Sequence, residues 1–105
     1  MRIKVMADYG CWPLWVWDPD ERIFDTREPA ELGLSASLVG RLEAWQQWHE
    51  SMINIADPYD SRVVTEAEEK AFAEEGRLLA GRVSAELPDA VVWFHRDQPD
   101  AASSS

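Results

Sequence analysis

The stretch Thr65-Glu-Ala-Glu-Glu-Lys-Ala-Phe-Ala-Glu-Glu-Gly-Arg-Leu-Leu-Ala-Gly-Arg-Val-Ser-Ala-Glu-Leu-Pro88, followed by Asp89-Ala-Val-Val-Trp-Phe-His95, decides the fold. Phe72, Gly76, Leu79, Val83 and Leu87 recur at helical spacing, so one stripe of a long helix is apolar and must be covered. Thr65-Glu66-Ala67-Glu68 opens it as a capping box, and Pro88 stops it near Leu87. Gly76 sits in the middle of the buried stripe, where glycine costs about 1 kcal/mol of helix propensity relative to alanine. A neighbour that approaches too closely for a Cβ explains it, and a Trp of another helix is a candidate. Val91-Val92-Trp93-Phe94 is β-branched and aromatic and reads as a closing strand over residues 90–95.

A helix that ends in a strand needs a sheet to join, and the other half of that sheet lies at the N-terminus. Residues 2–8 alternate, with Ile3, Val5 and Ala7 on one face and Arg2, Lys4 and Met6 on the other, the period of a strand covered on one side. A short second strand runs through Leu14-Trp15-Val16-Trp17 until Asp18-Pro19-Asp20 breaks it, and Arg22-Ile23-Phe24-Asp25 suggests a further extended turn. From Ser35, the expected N-cap, to Ile53 the apolar positions Leu38, Leu42, Trp45, His49 and Met52 trace a first helix, with Arg41, Glu43, Gln47 and Glu50 on its wet side. A loop over 54–64 joins the helices. The expectation is an α+β domain over residues 1–97, ordered β-β-α-α-β, with two helices covering one face of a small sheet whose first and last strands pair. Residues 98–105, ending in three serines, read as a flexible tail.

Composition bounds the function. The 105 residues carry 20 Asp plus Glu against 10 Lys plus Arg, a formal charge of −10. A chain of this length builds one modest core, and 46% hydrophobic content with six Trp is enough to fold it. The acid surplus argues against nucleic acid, which is held chiefly by bases that neutralise phosphates. No apolar run approaches a membrane span, no secretory leader is visible, and the single Cys11 makes no internal disulfide, so a cytoplasmic location is expected.

The most distinctive segment is Asp8-Tyr9-Gly10-Cys11-Trp12-Pro13-Leu14-Trp15-Val16-Trp17, with three of the six indoles. Tyr9, Trp12, Trp15 and Trp17 form a contact surface on one reading, because indoles and phenols give large buried area for little lost entropy; on the other they fill a small core. The carboxylates concentrate over residues 18–31 and again at Asp57, Asp60, Glu66, Glu68, Glu69, Glu74 and Glu75, the second zone opposed only by Arg62 and Lys70. Acids in a helix's first turn and a Glu66–Lys70 pair account for part of this, and a docking surface for a basic partner accounts for the excess. Asp57, Asp60, Glu66, Glu68, Glu69 and Glu75 are accordingly the expected steering residues.

Nothing points to chemistry. Cys11 lacks neighbouring cations in sequence, His49 and His95 have no metal-ligand spacing, and phosphate loops, nucleophile elbows and calcium ladders are absent, so no catalytic residue, metal or cofactor is expected.

Lys4-Val-Met-Ala-Asp-Tyr-Gly-Cys-Trp-Pro-Leu-Trp15, together with Glu31-Leu-Gly-Leu-Ser35 and the Ala44-Trp45 helix, resembles a group of small acidic actinobacterial proteins, over most of residues 2–96. That resemblance implies a bacterial single-domain protein and transfers no catalytic residue. More loosely the chain resembles bacterial toxin-immunity proteins, which implies an inhibitor of a basic toxin domain that acts by occlusion. The alternatives are a small-ligand binding protein or enzyme subunit built on the Trp-rich loop, and a stand-alone enzyme using Cys11 or a carboxylate.

Overall fold

The alternation at the N-terminus and the closing apolar run meet in one sheet. In the computed structural model, which describes residues 1–52 and 64–97, strands β1 (Arg2–Val5), β2 (Leu14–Asp18) and β3 (Ile23–Arg27) form an antiparallel meander. Helices α1 (Ala36–Met52) and α2 (Glu66–Glu86) follow, and strand β4 (Val91–Phe94) returns to lie parallel to β1. The sheet order is β3-β2-β1-β4. The expected pairing of first and last strands therefore holds, with Ile3 opposite Val16 and Val92.

Two of the expected strands change length. The segment expected as an extended turn is a full strand, β3: Asp18 Oδ1 accepts from the N–H of Asp20 and of Glu21, and Arg22 takes a left-handed φ of 57°, which reverses the chain into it. Its weak sequence signal follows from its place at the sheet edge, where Ile23, Asp25 and Arg27 are all exposed. β1 ends at Val5 instead of running to residue 8. Met6 N–H still donates to the Pro13 carbonyl, but Pro13 has no N–H to return, so the ladder stops there.

Ile3, Val5, Leu14 and Phe94 face the helices and meet Leu38, Leu42, Trp45, Leu79 and Val83, all essentially inaccessible to solvent. Trp45 is pinned by its indole N–H, which donates to the Phe72 carbonyl at 3.0 Å, and by stacking on the Phe72 ring at 4.6 Å. Gly76 lies under this ring and under Phe94. A Cβ built there would stand 2.5 Å from Phe94 Cε1 and 2.8 Å from Trp45 Cζ2, so the glycine answers to close approach from both the helix and the sheet. Thr65 Oγ1 accepts from the Glu68 N–H at 3.1 Å, the N-cap half of the expected capping box. At the opposite corner Ser35 donates through both N–H and Oγ to Glu86, at 2.7 Å each, which ties the start of α1 to the end of α2.

The helix-free face of the sheet carries a second group of aromatics. Trp17 and Phe24 meet edge-on at 5.2 Å, and Phe24 meets Trp93 at 5.8 Å. The two basic residues of β1 lie over these rings, Lys4 Nζ 4.4 Å from the Phe24 centroid and Arg2 Cζ 5.6 Å from that of Trp93. The alternation read in residues 2–5 thus separates the core layer under the helices from an aromatic layer capped by cations.

Candidate functional site

The link between β1 and β2 is too short to wander and is tied down at both levels. Tyr9 N–H donates to the Asp8 carboxylate at 2.8 Å, Cys11 N–H to the Asp8 carbonyl at 3.2 Å, and Gly10 supplies a left-handed φ of 73°. This turn leans on α1. Gln46 Nε2 donates to the Asp8 carbonyl at 2.6 Å and to Glu50 Oε2 at 3.1 Å, and Glu50 Oε2 also accepts from the Gly10 N–H at 3.1 Å. These two bonds, first from Gln46 and then from Gly10, hold the Glu50 carboxyl below the usual carboxylate range against a smaller opposing effect of burial, while His49 adds to the lowering.

Between the turn and α1 lies a pocket of about 440 Å³ walled by Gly10, Cys11, Trp12, Pro13, Glu43, Gln46, Gln47 and Glu50. Tyr9 and Trp12 are 50% and 40% exposed beside it. Among the described residues no Lys, Arg or His lines this pocket, so Cys11 has two carboxylates and no cation or imidazole for company. The two histidines line a different pocket, of about 260 Å³, with Ala7, Met52, Val64, Glu69, Phe72 and Arg96. Burial, reinforced by Arg96, pushes the His95 imidazole below its ordinary value, although its bond to the Val5 backbone acts the other way.

The sequence-predicted contact residues fall in several places. Tyr9 and Trp12 belong to the turn, whereas Trp15 and Trp17 are half-buried on the helix-free sheet face, with the Trp15 indole N–H held by the Met6 carbonyl at 3.0 Å. Glu66 and Glu69 are exposed in the first turn of α2. Glu68 instead accepts from the Trp48 indole at 2.9 Å, and Glu75 accepts from Arg41 with both oxygens at 2.9 Å in a groove between the helices. Asp57 and Asp60 lie outside the described residues. Glu43, Gln46 and Glu50 escaped the sequence reading, which placed Glu43 and Glu50 on the wet side of α1. Their only signal was that they share one helix flank with Gln47, and nothing in sequence says that the Gly10 turn folds against that flank.

Among the described residues no three His, Cys, Asp or Glu side chains are grouped so as to hold a metal ion, and no helix is long and apolar enough to cross a membrane. No curated protein matches the chain. Residues 1–98 do match a protein family, over nearly all of the 105 residues, and the chain belongs to the Serratia CdiI immunity protein-like family.

Proposed function

We propose that this protein is an immunity protein that binds a cognate toxin domain in the cytoplasm and silences it by covering its working surface. The observation that carries this reading is the family match over residues 1–98. The exposed pair Tyr9 and Trp12 supports it as an anchor, and the formal charge of −10 supports a basic partner. The exposed acids of α2, Glu66 and Glu69, are the steering groups, together with Asp57 and Asp60 earlier in the sequence.

Anchors and steering charges act on different rates. Truncating a desolvated aromatic speeds dissociation, while reversing a rim charge slows association and flattens its salt dependence. The cognate toxin domain is the reagent. Wild type should abolish its activity at equimolar ratio; Trp12→Ala should raise the dissociation rate about tenfold, and the double reversal Glu66→Lys with Glu69→Lys should slow association with a shallower response to salt. Glu68 is left alone because it holds the Trp48 indole. Full toxin activity in the presence of excess wild-type protein refutes the proposal.

A further inference from the structure

The pocket beside the Gly10 turn contains an unanswered acceptor. Gln46 is only 7% exposed, and both of the bonds that it makes use its Nε2. Because Nε2 faces two acceptors, the Asp8 carbonyl and Glu50 Oε2, the amide cannot be turned over without setting oxygen against oxygen. Gln46 Oε1 is therefore held as a fully covered acceptor with no donor. Glu50 presents the same imbalance at the next turn of the helix: Oε2 takes two bonds, and Oε1 takes none from the described residues. Glu43, exposed on the same flank, adds a second carboxylate, and the half-exposed Trp12 indole forms part of the wall.

We infer that this pocket is a socket for an arginine side chain of the partner, a step that rests on the immunity-protein reading and names what its aromatic anchor surrounds. Among the described residues the walls carry no positive charge and present the carboxylates of Glu43 and Glu50, the latter with one oxygen open, the charge complement of a guanidinium with its five N–H groups and no acceptor. Arginine suits it better than lysine. A planar fork engages the Glu50 carboxylate beside the Gln46 amide, and its face stacks on an indole, whereas an ammonium is a compact, strongly hydrated point charge. At about 440 Å³ the pocket has room for the whole side chain.

The test separates the socket from the broader function. Nα-acetyl-arginine amide is titrated into the labelled protein while the Gly10 amide, the Gln46 side-chain amide and the Trp12 indole are followed by NMR, with the lysine and norleucine amides as controls. Saturable shifts at these three groups are expected with the arginine probe, weaker ones with lysine and none with norleucine. Glu50→Gln, which keeps an acceptor for Gly10 and hence the turn, should weaken the arginine probe and the toxin domain alike by about tenfold. An unshifted pocket, equal response to all three amides, or a natively folded Glu50→Gln protein that captures the toxin as wild type does overturns the socket while leaving the immunity reading intact. Failure of the wild-type protein to capture the toxin, with the arginine probe still bound, refutes the immunity reading instead.

Discussion

Substituting Gly76 by alanine sets two effects of known sign against each other. In an open helix the change is worth about 1 kcal/mol in favour of alanine. At Gly76 the added Cβ would stand 2.5 and 2.7 Å from two atoms of the Phe94 ring and 2.8 Å from Trp45, well inside ordinary contact. Relief requires the rings to withdraw by on the order of an ångström. Neither ring is free to do so: Trp45 and Phe94 are 1% and 2% exposed, Trp45 is bonded to the Phe72 carbonyl and stacked on its ring, and Phe94 is wedged between Trp45 at 6.2 Å and His95 at 4.6 Å. Overpacking of this kind costs roughly 1–3 kcal/mol, so Gly76→Ala should come out destabilised by up to about 2 kcal/mol after the propensity gain, and Gly76→Leu by about 3 kcal/mol or more. Urea denaturation followed by Trp fluorescence measures it, with Gly81→Ala as the control. A Cβ at Gly81, in the same helix, meets nothing within 4 Å, so this variant should be stabilised by about 0.5–1 kcal/mol. If Gly76→Ala unfolds at or above the wild-type midpoint, the close packing of α2 against Trp45 and Phe94 is wrong.

Other perturbations read single contacts. Thr65→Ala removes the acceptor of the Glu68 N–H and should cost about 1 kcal/mol, whereas Thr65→Ser should be nearly neutral; an equal loss in both would point to packing of the methyl group. His95 is held neutral by burial with Lys4 and Arg96 nearby, against Asp97 and the Val5 carbonyl. The unfolded chain takes up that proton near pH 6.5, so stability should be lost as pH falls from about 6.5 through the lowered folded value. His95→Gln should remove that slope in pH-dependent denaturation, and an unchanged slope refutes the assignment. The lowered carboxyls of Glu50, Glu86 and Asp97 contribute in the same direction at lower pH, their stabilisation being lost as pH falls below about 4.5 through their folded values, and this second phase should survive in His95→Gln.

What the chain states locally, it states clearly. Helical spacing in Leu38, Leu42 and Trp45 and in Phe72, Gly76, Leu79 and Val83 identifies buried stripes, because a side chain's face on a helix follows from its number alone. Thr65 caps and Pro88 stops α2 through contacts or constraints within a few residues of themselves. Alternation at Ile3 and Val5 marks a one-sided strand for the same reason, and the toxin-immunity resemblance agrees with the family to which the chain belongs. β3 was faint because an edge strand buries little and so leaves a weak pattern in sequence. The tertiary structure alone decided the rest. Trp12 and Trp15 are three residues apart, yet the ladder places Trp15 on the aromatic sheet face, while the Gly10 turn leaves Trp12 beside α1. Glu50 and Gln46 become a site only when Asp8 and Gly10, some forty positions earlier, close against them. Which polar groups end up satisfied is a property of contacts between distant segments, and no spacing along a chain encodes it.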